Sequence, residues 1–497
     1  MRISNKHANV QMAQYHDFRG GLNTTDSVEM IAENELAIAE NVEVFKGQLK
    51  TVAGTDTVIH DEDKTFAYII YDSINKALLV TDNEQNVYRV NNGELVSLGT
   101  LTGNATLEYA SWENGVIIAS GGKLQYYNGT NLTTLTESHN GCYGVFIKSG
   151  RVWTYYDDEL HCSRIGDEED WTHDSNDESS AQWLQIGYKD GGKIIGVSSL
   201  SRDMIIFKDN HRAYHLAGDY PDWVVLEIGR QIDCKGYNNC VALADSVLLL
   251  GSNAVQAIAT TDAYGDMLAR NISDKVYKDV QAMGSIKVRL IPLLGQVWFI
   301  NESYKFMFLD VATGGFFHRC YNSNVMDAVQ TDFGIFVLKE HRVCVLNPSH
   351  LQDDGENLSW RFQGKTLLSP NQYLIKRVRV DTTPLFMNNA EQWFYVGAVK
   401  IAGGTPLSAR EVYGNEAYVF EDDSFVNTPD IDPIYGTADE VFIDFSYVYG
   451  NENYVFSTDT YRNETRCCDR ERAIRVLGYG SGGQMIIHNV SFEYVEV

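Results

Sequence analysis

The chain has 497 residues, 44% hydrophobic and 12% aromatic, with 67 acidic against 40 basic side chains and a formal charge of −27. That length and apolar content allow two or three domains with large cores. The charge argues against a protein that wraps nucleic acid, which needs Lys and Arg patches to neutralise phosphates.

Tyr (29) and Phe (21) are abundant and Pro (8) is scarce. With Val and Ile at alternating positions, this favours strands over helices. No run approaches the roughly 18 apolar residues of a membrane-spanning helix, so no membrane span is expected. The eight cysteines form no CxxC pair and have no His partner at zinc spacing.

Residues 1–61 read as an N-terminal segment. Residues 16–25 form a turn-rich loop with a Gly pair. Residues 33–41 are predicted to make one short helix, because Leu36 and Ala39 are i, i+3 neighbours and acids lie at its start. Residues 42–52 alternate as a strand, with Lys46 and Gly47 at its bend.

Residues 62–350 carry a unit that returns with different letters: an apolar strand, a polar turn and a second apolar strand. The first strands of the units start at 77, 115, 150, 203, 246, 296 and 334. Recurrence at about 40–50 residues with about four strands each is the mark of propeller blades. One meander cannot bury both its faces, whereas blades packed around an axis bury one another. The expected fold is all-β: a β-propeller of about seven blades, with six or eight as alternatives and a β-sandwich of irregular hairpins as the competing fold. Between the third and fourth units, residues 153–178 hold ten acidic residues and one basic residue, Arg164. Of these, residues 157–178 read as an excursion from a blade edge.

Residues 351–356 make a polar linker. Residues 357–497 read as a smaller C-terminal β-domain, sandwich-like or jelly-roll in type. Within it, residues 411–444 carry ten acids and no Lys or Arg, and the chain then turns basic at Arg462, Arg466, Arg470, Arg472 and Arg475.

A GxGxxG turn before a helix, a P-loop, HExxH, GxSxG and an EF-hand loop are all absent. No catalytic residue, cofactor or metal ligand is therefore assigned, and an enzyme is not expected. Asp219, Asp222 and Glu227 could supply the carboxylate pair of a glycosidase, as could Asp167, Glu168, Glu169 and Asp170. Acids are so common here that such pairs arise by chance. His211 and His215 would share a face only in a helix, and they lie in a strand pattern.

The opening carries a further pattern: Phe18, Gly20, Gly21, Leu22 and Asn23, then Glu35, Asn41, Gly47 and Gly54. Residues 16–55 resemble the start of many tailed-phage virion proteins, and residues 192–208 and 475–494 look like their centre and end. The whole is similar to the tail hub or nozzle proteins of short-tailed bacteriophages, of the packaged-DNA stabilisation type.

The resemblance implies a structural virion protein of the tail, assembled in the bacterial host cytoplasm. It would be a homohexamer below the portal adaptor, continuing or closing the DNA exit channel and supporting tail fibre or tip proteins. The alternatives are a receptor-binding or adhesin propeller at the tail tip and a glycan-cleaving depolymerase. In such a ring, Phe18 and Leu22 are expected to be buried against a blade or a neighbouring subunit. The arginines of 462–475 are expected to meet the acid-only segment 411–444. Genomic DNA would pass without sequence-specific binding. At least one of the clusters Asp167, Glu168, Glu169, Asp170 and Glu421, Asp422, Asp423 should then face the lumen, where an acidic wall does not hold phosphate.

Overall fold

The computed structural model describes residues 10–260, 267–284, 286–386, 391–397, 399–402, 461–466 and 470–496. Among them the chain is almost entirely strands, with one α-helix, Tyr277–Ala282. No described helix is long and apolar enough to cross a membrane. None of the six described cysteines is in a disulfide.

The chain divides into two compact units. One is Thr57–Tyr304 with Ser323–Val345; the other is Met1–Asp56 with Lys305–Asn322 and Leu346–Val497. This differs from three consecutive domains cut at 61/62 and 350/357. The N-terminal segment belongs with the C-terminal residues, and part of the sixth repeat joins them.

The chain folds into a β-propeller. Blade 1 is Phe66–Asp72, Ala77–Asp82, Asn86–Asn91 and Glu94–Thr100. Blade 2 is Glu108–Trp112, Gly115–Ala119, Gln125–Tyr127 and Leu132–Thr134. Blade 3 is Gly144–Lys148, Arg151–Tyr156, Glu159–Cys162 and Gln182–Gln185. Blade 4 is Ile194–Leu200, Asp203–Lys208, Arg212–Ala217 and Val224–Arg230. Blade 5 is Cys240–Ala242, Ser246–Leu250, Val255–Thr260 and Met267–Asn271. Blade 6 opens with Lys287–Ile291 and Gln296–Ile300 and runs on through Ser303–Asp310 into Phe316–Thr331. The far end of that last strand is the first strand of blade 7, followed by Gly334–Lys339 and Arg342–Asn347. The fourth strand of blade 7 is Gly54–His60, supplied from the N-terminal side of blade 1.

The repeats legible in the sequence are the second and third strands of these blades. Their uninterrupted apolar runs follow from two-sided burial. In blade 2, Val116 and Ile118 pack with Ile70, Leu79 and Val87 of blade 1. Ile117 and Ala119, on the other face, pack with Val145 and Val152 of blade 3. The same alternation places Met204 and Ile206 against blade 3, and Ile205 and Phe207 against blade 5. The ring closes where Ile69, Leu78 and Val80 of blade 1 meet Ile59, Leu338 and Val343 of blade 7. Turn geometry keeps the strands close: a Cβ on Gly115 would lie 1.8 Å from the Tyr127 carbonyl oxygen.

The second unit contains two sheets. In one, the long strands Leu367–Phe386 and Gln484–Glu496 pair antiparallel, and Gln11–Tyr15 adds to Gln484–Glu496. The hairpin Val42–Phe45 and Gln48–Thr51 joins the same sheet, turning at Lys46 (φ 53) and Gly47 (φ 87). In the other, Ser359–Gln363 lies between Ile38–Glu40 and Val476–Ser481, and Glu391–Val396 follows. The short helix expected at 33–41 is replaced by two strands, Glu35–Leu36 and Ile38–Glu40. Leu36 and Ala39 are fully buried there. Pairing with Ser359–Gln363 satisfies the backbone that a three-turn helix would have satisfied alone.

Replacing Ile118 by Ala removes a side chain shared by blades 1 and 2, and should lower stability by about 2–5 kcal/mol in chemical unfolding. Ile165→Ala, at a site 51% exposed, should stay within about 0.5 kcal/mol. Equal effects of the two would contradict the blade packing.

Candidate functional site

The first strand of each blade lines the propeller axis, and three cavities lie along it. The middle one, about 460 Å³, is lined by residues of blades 2 to 7, among them Glu108, Asn238, Arg289 and Gln330. One of about 500 Å³ lies beside blades 2 to 5, around Lys148, Ser199 and Asp203. One of about 320 Å³ is bordered by Tyr68, Thr106, Lys287 and Glu302.

Charged groups beside them join neighbouring blades. Asp327 of blade 7 is fully buried. Arg289 of blade 6 grips it with two bonds, Nε to Oδ1 at 2.8 Å and Nη2 to Oδ2 at 3.2 Å. The Ile69 amide of blade 1 donates to the same carboxylate at 3.3 Å, and the Ala328 amide at 2.9 Å. One side chain thus joins blades 6, 7 and 1.

Lys287 repeats the connection from blade 6. Its Nζ donates to the Ala67 carbonyl of blade 1 at 2.8 Å, to the Met326 carbonyl of blade 7 at 2.9 Å and to Glu302 at 3.1 Å. The pairing register slips between Phe66 and Tyr68, and again between Val325 and Asp327. Ala67 and Met326 are therefore bulge residues, whose carbonyls lie outside the regular ladder and are open to a side-chain donor. The ammonium also sits 4.1 Å from the centre of the Tyr68 ring. Burial pulls the Lys287 pKa down, against the opposing carboxylates. Burial pushes the Tyr68 phenol up to about 12.

Glu108 of blade 2 faces the middle cavity. Burial pushes its carboxyl up to about 7; Arg289, amide donors from Asn238 and Val145, and the Tyr155 hydroxyl oppose the rise. Asn238 ties this group to its surroundings, donating to Thr106 Oγ1 at 2.7 Å and accepting from Arg289 at 3.4 Å. The contacts of Asp327 and Lys287 are spent on neighbouring blades, so this constellation locks strands together. Among the described residues, no group of three or more His, Cys, Asp or Glu side chains is placed to hold a metal ion.

No protein-family model matches the chain, and no curated protein matches it. Solved structures with similar shape include the Pan2 WD40 domain of Neurospora crassa, at 10% identity and a TM-score of 0.38 over 57% of this chain and 90% of that one. The computationally designed Ika8 protein is 10% identical, with a TM-score of 0.34 over 58% of this chain and 99% of that one. The extracellular domain of a hybrid two component system from B. thetaiotaomicron is 12% identical, with a TM-score of 0.40 over 58% and 41%. The propeller assignment stands on the blade topology and the closed ring of cores described above.

The residues of the N-terminal pattern lie in one compact unit and make specific contacts there. Phe18 and Leu22 are buried, and Phe18 meets Phe362 edge-on at 6.0 Å. Phe18 finds this partner within its own chain. A Cβ on Gly20 would lie 2.6 Å from the Asn34 carbonyl oxygen, and one on Gly21 2.6 Å from Gly315 Cα. Asn23 donates to Glu35 at 2.8 Å, and the same carboxylate accepts the Ala32 amide at 2.8 Å. Asn41, at φ 54, bonds the backbone of Cys320 and Ser359.

The acidic excursion joins the third and fourth strands of blade 3, on the outer half of the blade and away from the propeller's own axis. It is a tied loop. Glu168 accepts from Trp112 Nε1 at 2.9 Å, and Asp167 accepts the Glu169 amide at 3.0 Å. Arg164 bridges Asp170 and Asp177, and Arg151 underpins the loop from below through the carbonyls of Ser163, Ser180 and Glu178. Glu169 is exposed.

Arg462 and Arg466 lie on Tyr461–Arg466, and Arg470 and Arg472 on Arg470–Ile474; both strands pair with Leu367–Phe386. Arg472 and Arg475 are exposed. Glu421, Asp422 and Asp423, and the whole segment 411–444, lie outside the described residues. The axial groups Glu108, Lys287, Arg289 and Asp327 were not anticipated. Their one sequence signal is a charge inside an otherwise apolar first strand, as in Lys287–Ile291.

Glu108 gives a pH test. Its folded pKa lies above that of a free carboxyl, so the fold holds this proton more tightly than the unfolded chain does. The contribution is complete below about pH 4.3 and is lost as pH rises through 7. Between pH 5 and 8 the native protein should lose about 2 kcal/mol through this group, a figure discounted for its exposure to the cavity. Glu108→Gln should remove that loss in unfolding measured at both pH values. An unchanged pH slope would contradict the assignment.

Proposed function

We propose that this chain is a structural tail protein of a short-tailed bacteriophage, of the hub or nozzle type. Six copies form a ring that continues or closes the DNA exit channel. The ring attaches to the portal adaptor and carries fibre or tip proteins. The observation that carries the reading is the N-terminal pattern from Phe18 to Gly54, whose residues Phe18, Asn23 and Asn41 make specific contacts within one compact unit rather than standing as scattered surface positions. Two further features support it. The charge of −27 suits a surface past which DNA slides without sticking. Near the propeller's own axis, Lys287, Arg289 and Asp327 bond blade to blade, and in this reading DNA runs along the axis of the ring of copies and not through a propeller. No catalytic step belongs to this role.

A ring joins unlike faces of the same protomer. The exposed Arg472 and Arg475 are candidates for one of those faces. The purified protein should give a native mass six times the 55.9 kDa protomer, and Arg472→Glu with Arg475→Glu should shift it toward the protomer while leaving the circular dichroism spectrum intact. A protomer mass for the unaltered chain at every concentration, and its absence from tails of purified virions, would contradict the reading.

A further inference from the structure

Blade 3 carries a ladder of aromatic rings on the face turned away from its core with blade 4. Trp153, Tyr155, Leu160 and Cys162 fill that core. Their strand neighbours point the other way. Thr154 lies opposite His161, Tyr156 opposite Glu159, His161 opposite Trp183, and Glu159 opposite Gln185. Tyr156, His161 and Trp183 stack in turn, and His139 lies against both Tyr156 and His161, the latter at 4.3 Å and 51°. His139 and Tyr156 are 4.6 Å apart at 24°, Tyr156 and His161 5.0 Å at 27°, and His161 and Trp183 6.3 Å at 17°.

Glu159 fixes the inner plates, accepting from the Tyr156 hydroxyl at 2.7 Å and pairing with His161 Nε2 at 2.9 Å. The outermost plate is open. Trp183 sits on the free edge strand Gln182–Gln185 and is 54% exposed. Beside it on the same face, Gln185 donates to Asp158 at 2.8 Å.

We propose that Trp183 is the receiving plate of a docking site for an arginine side chain presented by a protein partner, with Asp158 and Glu159 at its rim. A guanidinium is planar and stacks on an indole face while its N–H groups reach carboxylates. The local charge selects a cation. Asp157, Asp158 and Glu159 are consecutive acids, and Lys193 answers Asp157 at 3.0 Å. The adjoining loop adds the exposed Glu169, Asp174 and Glu178. A neutral sugar, which could also lie on a tryptophan, would gain nothing from that field. The site belongs to blade 3 alone and does not depend on the tail reading.

The test is calorimetric titration of the full chain with a capped glycine peptide carrying two arginines. Its lysine and citrulline counterparts and a neutral glucose trisaccharide serve as comparison probes. The arginine peptide should bind most tightly and weaken with added salt. Trp183→Ala should weaken it about tenfold, and Asp158→Asn should weaken it less. Both positions are on the surface, and unchanged thermal unfolding verifies that the variants fold. Binding that survives Trp183→Ala, a citrulline peptide that binds as well as the arginine peptide, no binding of the arginine peptide, or trisaccharide binding that Trp183→Ala abolishes would each overturn the proposal.

Discussion

The propeller depends on one buried carboxylate. A ring of blades held only by apolar faces has no built-in reason to close at a particular place, because the same kind of contact recurs at every junction. Asp327 supplies that reason. It takes both arms of Arg289 from blade 6 and an amide from blade 1 while belonging to blade 7 itself. A buried charge is tolerated only when its partners are complete, and the loss of one partner leaves an uncompensated ion. The junction where blade 1 meets blades 6 and 7 is therefore the one where an incorrect register is most costly. Lys287 reinforces it by using the carbonyls of two β-bulges, so that local irregularities of the sheets become part of the fastening.

Much of the blade structure was legible because of how these sheets are buried. A strand covered on both faces must be apolar at every position, and the second strands of the blades stand out for that reason, as in Val116, Ile117 and Ile118. What closes the ring was not legible. Gly54–His60 is remote in sequence from Arg342–Asn347, and nothing in its own letters marks the partner. The reading of 33–41 as a helix failed for a related reason. Leu36 and Ala39 satisfy an i, i+3 rule, but their burial comes from strands more than three hundred residues away. The charged axis left only a faint trace, a lysine and an arginine alternating within Lys287–Ile291.

The Gly-rich N-terminal pattern gains a physical meaning. Gly20 and Gly21 allow backbones to approach within distances that exclude a side chain, and Asn23, Glu35 and Asn41 bond the chain around them. These residues are needed to build the unit. They leave contact with other proteins to the exposed surfaces, among them the arginine-bearing strands and the outer edge of blade 3. A propeller whose ring is fastened at one junction by buried charges is suited to presenting such surfaces rigidly, and the tail role proposed for the chain uses it in that way.

The most direct measurement is hydrogen exchange, read segment by segment, on Asp327→Asn, which keeps the shape of the side chain and removes its charge. If this carboxylate fastens the ring, amide protection should fall in Phe66–Asp72, in Lys287–Ile291 and in residues 323–331, while Arg151–Tyr156 and Asp203–Lys208, on the far side of the ring, keep theirs. Protection that is unchanged at the junction of blades 6, 7 and 1, or that falls equally in all seven blades, would contradict the account.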